Sequence, residues 1–269
     1  MVDYVNKIIE GDCISILREL PDDCIDMVLA DLPYQVTVNP WDKLIDLEEL
    51  WIQYERVVKR NGVIALSAQG RFTGQLIMSN PKLFKYKIVW IKSVATNYLN
   101  AKKQPLRRHE DICIFYREQP VYHPQMGTGK PYSATRNSRP SNSYGDHFST
   151  TTNNNGARYP TDVIIHEEDH VYVHSALSEG KVYHPVQKPV ALGRYLIRTY
   201  TDEGDLVLDN VCGSGSFLVA AVLEKRKFIG IDKNEQAFQF KEPVDFIAIS
   251  RMRVQAAFGQ LSEGDSTPL

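Results

Sequence analysis

Apolar residues fall along this chain in short blocks, some at the spacing of strands and some at that of helices. Lys7 to Glu10 and Ile25 to Ala30 read as strands, with a helical stretch from Ile14 to Leu20 between them. The second block is nearly continuous in apolar side chains, as a strand covered on both faces of a parallel sheet must be, and it runs straight into Asp31. Leu47, Leu50, Trp51, Tyr54, Val57 and Val58 recur at helical spacing and predict a helix from Leu44 to Arg60, with Asn61-Gly62 as its stop. Val63 to Ser67, Tyr86 to Ile91 and Ile112 to Arg117 follow as strands.

From Tyr122 to Tyr159 the pattern disappears. Ser, Thr, Asn, Gly, Pro, Tyr and Arg dominate, and a stretch this long without apolar periodicity is either functional or disordered. Order returns at Tyr183. Pro189 opens a helix to Tyr200, with Tyr195, Leu196 and Tyr200 on its apolar face. A compact strand-helix-strand unit comes next: Leu206 to Val211, a tight turn at Gly213-Ser214-Gly215, Phe217 to Lys225, then Phe228 to Ile231 ending at Asp232. The alternation predicts an α/β fold, an open, mostly parallel twisted sheet with helices on both faces. The expected boundaries are 1–121 for one half of the domain, 122–181 for an insert, 182–259 for the other half and 260–269 for a loose tail. No internal repeat is present.

Composition narrows the class. Hydrophobic residues make up 43% and charged residues 24%, the balance of a globular protein. No apolar run approaches the ~20 residues of a membrane helix, and the N-terminus lacks the pattern of a signal peptide, so a cytoplasmic protein is expected. Cys13, Cys24, Cys113 and Cys212 lack CxxC spacing, which argues for reduced thiols and no metal site. The net charge of −2 does not suit a strongly basic nucleic-acid binder, but its distribution is uneven. Pro81 to Arg108 holds eight Lys and Arg residues, among them Lys102, Lys103, Arg107 and Arg108, and no acid. Pro120 to Thr161 holds Lys130, Arg136, Arg139 and Arg158 against Asp146 alone. A neutral protein with one basic face can track a phosphate backbone, and a solvated surface without a partner would read the same way.

Two motifs carry candidate chemistry. In Asp209-Asn210-Val211-Cys212-Gly213-Ser214-Gly215-Ser216, glycines between a strand and a helix let the backbone approach a ligand at a helix N-terminus. The dinucleotide fingerprint fails at Leu218, and the Lys-Ser/Thr of a P-loop is absent. What remains is G-x-G with Asp209 before it and Asp232 closing the next strand, a carboxylate placed to accept ribose hydroxyls; an ordinary tight turn has the same letters. Asp31-Leu32-Pro33-Tyr34 follows a buried strand, where ligand crevices of open sheets lie. An exocyclic amino nitrogen is a poor nucleophile because its lone pair is delocalised into the ring. The Asp31 carboxylate and the Leu32 carbonyl would take its two hydrogens and steady the developing positive charge. Pro33 would stiffen the turn and Tyr34 would stack on the base. An Asp-capped turn with a packed Tyr is the purely structural alternative.

The order of these motifs, with His184-Pro185-Val186-Gln187-Lys188-Pro189 just before the second, resembles the β group of DNA amino-methyltransferases, in which the catalytic motif precedes the cofactor motif. The resemblance runs from about Lys7 to Phe238. It is most specific toward phage- and prophage-type members, through Ala30-Asp31-Leu32-Pro33-Tyr34, Trp41-Asp42, the run from Asn100 to Arg107, His109-Glu110 and Val207-Leu208-Asp209-Asn210. It implies a Rossmann-like methyltransferase fold with circularly permuted motifs, S-adenosylmethionine as cofactor and double-stranded DNA as partner in a bacterial or phage-encoded protein. A homodimer and a cognate restriction nuclease stay open. It further implies that Asp209, Asn210, Val211, Gly213, Ser214, Gly215 and Ser216 wrap the methionine part of the cofactor. Asp232 would hold the ribose, Gly11-Asp12 would lie near the adenine, and His184, Gln187, Lys188 and Pro189 would contact the methionine end. The segment from Tyr122 to Lys181 would be the target-recognition region. Lys102, Lys103, Arg107, Arg108, Arg136, Arg139 and Arg158 are the expected DNA contacts.

This chain departs from the family at Leu32, where Pro is common, at Asn210-Val211, where Pro-Phe is usual, and at Val186, where Thr is usual. The leading Asp31 favours adenine N6 over cytosine N4, whose enzymes more often open with serine. No Pro-Cys dipeptide exists for C5-cytosine chemistry, and the motif order is the reverse of that in protein glutamine methyltransferases. A DNA-binding module that has lost catalysis would have damaged cofactor residues, yet Asp209, Gly213, Gly215 and Asp232 are intact.

Overall fold

A computed structural model describes residues 4–35, 42–137, 148–164, 181–183, 186–235 and 243–264. In chain order the first half comprises β1 (Lys7–Glu10), α1 (Cys13–Glu19), β2 (Ile25–Ala30), α2 (Leu47–Val57), β3 (Val58–Ala68), α3 (Arg71–Ser79), β4 (Phe84–Thr96), a 3-10 turn at Tyr98–Asn100 and β5 (Arg107–Phe115). Short strands follow: β6 (Gly127–Thr128), β7 (Tyr132–Arg136), β8 (Thr150–Asn154), β9 (Ala157–Arg158) and β10 (Val163–Ile164). The last part is α4 (Val190–Tyr200), β11 (Leu206–Asp209), α5 (Ser216–Leu223), β12 (Lys227–Asp232) and α6 (Phe246–Gly264).

Eight strands form one sheet in the order β1-β12-β11-β2-β3-β5-β4-β10, and β5 alone runs against the others. Side chains on alternate faces build two cores. Met27, Leu29, Val63, Ala65, Ile112 and Ile114 pack under α4, α5 and α6. Val28, Ala30, Ile64, Leu66, Cys113 and Phe115 pack under α1, α2 and α3. Asp12 and Asp46 begin α1 and α2 as N-caps, accepting backbone N–H groups of Ser15 and of Glu48 and Glu49. α5 is almost wholly apolar and buried from Ser216 to Val222, and it lies so close to α4 that a Cβ on Gly193 would come within 2.8 Å of Ala220 and Phe217.

β11 in the C-terminal half pairs in parallel with β2 in the N-terminal half. From this junction the chain steps outward both ways, β11 to β12 on one side and β2 to β3 on the other. Such a topological switch point opens a crevice beyond the carboxyl ends of the strands, and Asp31 and Asp209 flank it.

Three expectations need correction. Asn61-Gly62 does not stop α2. The helix ends at Val57, and residues 59–62 bulge within β3, where Gly62 lets the strand approach Asp26 of β2; a Cβ there would lie 2.9 Å from the Asp26 carbonyl oxygen. Residues 260–264 of the expected tail continue α6, and residues 265–269 lie outside the described ones. The segment after Tyr122, expected to lack apolar periodicity, forms short paired strands among its described residues. β7 pairs with β8 and β6 with β9, while β10 returns to the edge of the main sheet beside β4.

Candidate active site

One cleft of about 910 Å³ follows the carboxyl ends of β1, β12, β11, β2 and β3. At one end lies the glycine turn. Gly213 and Gly215 have φ of 49° and 80°, the left-handed region in which glycine is least strained. A Cβ on Gly215 would meet Ser250 of α6 at 2.8 Å, whereas nothing lies within 4 Å of one on Gly213, so the turn is backed by α6 and open above. Asp232 Oδ2 accepts the Gly213 N–H at 2.7 Å, and Oδ1 accepts that of Asn234 at 2.8 Å. Arg253 from α6 donates to the Ser214 carbonyl at 2.6 Å and reaches the Ser216 hydroxyl at 3.2 Å. Gln187 Oε1 accepts from the Ser214 hydroxyl and the Tyr183 N–H, both at 3.0 Å, tying the segment before α4 to the turn.

Asp209, at the tip of β11, is buried and accepts the Val211 N–H at 3.2 Å. Burial pushes its carboxyl well above the ordinary aspartate value, and burial also raises that of Asp232. Asn210 accepts the Tyr54 hydroxyl of α2 at 2.6 Å and so links the turn to the opposite layer. Asp12 lines the cleft as the cap of α1 and pairs with Lys233 at 3.0 Å. Pro189 caps α4, and Val211 lines the cleft wall. His184 lies outside the described residues.

At the other end stands the tetrapeptide. Both Asp31 oxygens are engaged: Oδ1 accepts the Tyr34 hydroxyl at 2.5 Å, and Oδ2 accepts Lys188 Nζ at 2.6 Å. Lys188 is thus not simply a neighbour of the glycine turn. Its ammonium sits 2.9 Å from Glu110 Oε2 in an ion pair off the hydrogen-bond direction, and Glu110 Oε1 accepts Lys92 Nζ at 3.0 Å. The chain Asp31–Lys188–Glu110–Lys92 therefore alternates in sign, linking the end of β2, the segment before α4, β5 and β4, and is largely buried. Burial alone would depress the Lys188 ammonium, but Asp31 and Glu110 outweigh it and hold the group above the ordinary lysine value. Burial would raise the Glu110 carboxyl, and Lys188 with Lys92 brings it below the ordinary glutamate value. Asp31 is raised by burial, with Lys188 pulling the other way.

The Leu32 side chain is buried in the core, which leaves the backbone of that residue at the cleft. Pro33 also lines the cleft. Tyr34 is not free-standing: Phe72 of α3 stacks on its ring at 5.1 Å, and the Lys188 ammonium lies 5.7 Å from its centroid. Burial pushes its phenol well above the ordinary tyrosine value.

The expected DNA contacts lie on separate elements. Lys102, Lys103, Arg107 and Arg108 are exposed on the β4–β5 hairpin at the rim of the cleft. Arg107 donates to Gln69, a residue of the cleft wall, at 3.3 Å. Arg136 is exposed at the end of β7, and Arg139 lies outside the described residues. Arg158 is a strut within the insert. It donates to Asn154 and to the Lys130 carbonyl and stacks over Tyr132 at 4.9 Å. The sequence assigned no role to Glu110, although His109-Glu110 carries part of the resemblance, nor to Lys92 or Arg253. Glu110 had a signal, because it is the first acid after the long basic stretch; Arg253 had none.

A mostly parallel sheet with a switch point, carboxylates on β11 and β12 and a glycine turn opening α5 define a Rossmann-like methyltransferase with permuted halves. The chain belongs to the DNA methylase family N6_N4_Mtase, whose model matches residues 25–242, from β2 past β12. It is an S-adenosylmethionine-dependent DNA methyltransferase. It is 28% identical over 241 residues to the DNA adenine methyltransferase YhdJ of Escherichia coli strain K12, covering 85% of this chain and 79% of that protein. The M1.HpyAVI-SAM complex superposes with a TM-score of 0.60 at 20% identity, covering 92% of this chain and 98% of the other. The PvuII cytosine-N4-specific DNA methyltransferase superposes at 0.59 with 14% identity, covering 96% and 93%. No helix among the described residues is long and apolar enough to cross a membrane.

Proposed function

We propose that this enzyme methylates the N6 amino group of an adenine flipped out of double-stranded DNA. The observation that carries this reading is the single cleft that brings the Asp31 carboxylate and the Asp209–Ser216 turn to the same switch point. S-adenosylmethionine supplies an electrophilic methyl group on a sulfonium sulfur. The glycine turn is open above Gly213, as close approach of the cofactor's methionine part requires, and Asp232 keeps a lone pair on each oxygen for ribose hydroxyls. Gln187, Ser214 and Arg253 keep the turn in shape.

Each Asp31 oxygen likewise keeps a lone pair beyond those used by Tyr34 and Lys188. One would accept an amino hydrogen of the base and the Leu32 carbonyl the other, favouring a lone-pair-bearing nitrogen and steadying its developing positive charge; as the C–N bond formed, the C–S bond would break to leave a neutral thioether, and the methylated nitrogen would shed its extra proton to water. Flipping costs a few kcal/mol, and stacking on an aromatic ring returns about 1–3 kcal/mol per base. Tyr34, backed by Phe72, is that ring. The exposed, hydroxyl- and amide-rich β7–β8 pair, with Arg136, offers donors and acceptors to base edges as the reader of sequence. Adenine rather than cytosine is favoured by the leading Asp31 and by the likeness to an enzyme named for adenine. Single-molecule sequencing of DNA from cells expressing the gene tests this. N6-methyladenine at one recurring sequence is expected, and N4-methylcytosine there would overturn the assignment.

The raised Asp209 carboxyl gives a second prediction. An acid whose pKa is raised on folding weakens the fold at pH values above its unfolded value, and the effect vanishes below that value, where both states are protonated. Asp209→Asn is therefore expected to raise the thermal midpoint of the cofactor-free protein at pH 7, to leave it nearly unchanged below pH 4, and to weaken binding of S-adenosylmethionine. Calorimetry at the two pH values checks the first part. An equal shift at both would mean that the carboxylate's charge is not the cause.

A further inference from the structure

We propose that Tyr98 and Leu99 form a wedge that enters the DNA stack where the target base leaves it; this rests on the function proposed above. Four features converge on the turn that carries them. It starts at the wall of the cleft. Lys92, which holds Glu110, also reaches the Thr96 hydroxyl at 3.4 Å, and Thr96 lines the cleft and pairs with Arg107. The turn is braced from within. Asn97 adopts a left-handed φ of 70°, the Asn100 amide donates to the Asn97 side chain at 2.7 Å, and the Asn100, Ala101 and Lys103 N–H groups bond back to Asn97, Tyr98 and Asn100. Its apolar side chains face solvent, Tyr98 at 74% and Leu99 at 86% exposure. Cations flank it, with Lys102 and Lys103 after the tip and Arg107 and Arg108 at the return, all exposed.

A single exposed leucine is ordinary. Two adjacent large apolar side chains on a self-braced turn, ringed by cations at the mouth of a cleft, suit a duplex. The cations take phosphates on either side and the apolar tip fills the gap left in the stack. A preformed turn loses little conformational freedom on insertion.

The test uses two duplexes carrying the sequence that the wild-type enzyme modifies, one with the target base paired and one with it opposite an abasic position, where flipping is easier. Single-turnover methyl transfer by Leu99→Ala and Tyr98→Ala should fall about tenfold or more on the paired duplex and stay within about twofold of wild type on the other. The double variant Lys102→Ala/Lys103→Ala should weaken binding to both duplexes alike and flatten its salt dependence, by about 0.9 in slope for each phosphate no longer neutralised. The wedge is overturned if Leu99→Ala and Tyr98→Ala act at wild-type rate on the paired duplex, or are slowed by the same factor on both. A wild-type enzyme that methylates neither duplex would instead overturn the parent function, and the wedge with it.

Discussion

Asp31→Ala should lower methyl transfer to DNA by roughly 10²–10³-fold or more, the range found when one preorganised group facing developing charge is removed, while binding of S-adenosylmethionine changes little. The separation follows from position. Asp31 stands at the tip of β2, whereas the glycine turn is held by Asp232, Gln187 and Arg253, none of which bonds to Asp31. The variant leaves Lys188 with Glu110 as its remaining carboxylate partner, so the fold keeps a paired cation. Single-turnover transfer of labelled methyl, with calorimetric titration of the cofactor alongside, distinguishes the outcomes. Wild-type rates in the variant would remove Asp31 from the chemistry. A parallel collapse of cofactor affinity would mean that the residue organises the whole cleft.

Lys188→Ala should have the largest effect on stability. It leaves Asp31 and Glu110 buried without their shared cation, and breaking such a pair by removing one partner costs about 3–5 kcal/mol. The pH dependence of each group follows from its shift. Lys188 is held above the ordinary lysine value, so its contribution is full at neutral pH and is lost only as pH rises above that value. Glu110 is held below the ordinary glutamate value, so its contribution is lost as pH falls through the region beneath it. Without the ammonium, Asp31 loses its main lowering influence, and activity that needs the carboxylate should move to higher pH. Adding Asp31→Asn to Lys188→Ala removes the one carboxylate left without a cation, because Glu110 keeps Lys92, and should recover much of the stability. If Lys188→Ala melts like wild type and keeps the same pH–rate profile, the ion chain contributes neither stability nor tuning.

The parts of this arrangement that were legible in the sequence are those fixed by local pattern. β2 announced itself by the apolar run from Met27 to Ala30 that ends at Asp31, because the part of a strand buried on both faces has little place for polar side chains. The turn at Gly213 and Gly215 was legible because a left-handed backbone between strand and helix selects glycine. What could not be read arises from pairing across the sheet. Lys188 follows Glu110 by 78 residues and meets it because the segment leading into α4 crosses the cleft, where β2 and β5 of one sheet present Asp31 and Glu110. β7 and β8 escaped notice because Thr135 meets Thr151 and Ser133 meets Asn153 by hydrogen bonds, leaving no apolar alternation to detect. α6 was missed because its buried face mixes Phe246, Ile247 and Val254 with Ser250 and Ala257, small or polar residues that blur the stripe. The bulge in β3 looked like a helix stop because Asn-Gly marks a turn equally well in either context.

Transfer of isotope-labelled methyl from S-adenosylmethionine to unmethylated double-stranded DNA by the purified enzyme, followed by digestion to nucleosides and mass spectrometry, tests the central claim most directly. Label in N6-methyldeoxyadenosine with the wild-type enzyme, and none with Asp31→Ala, is the predicted result. Label in 5-methyldeoxycytidine, or undiminished label with Asp31→Ala, would contradict the account.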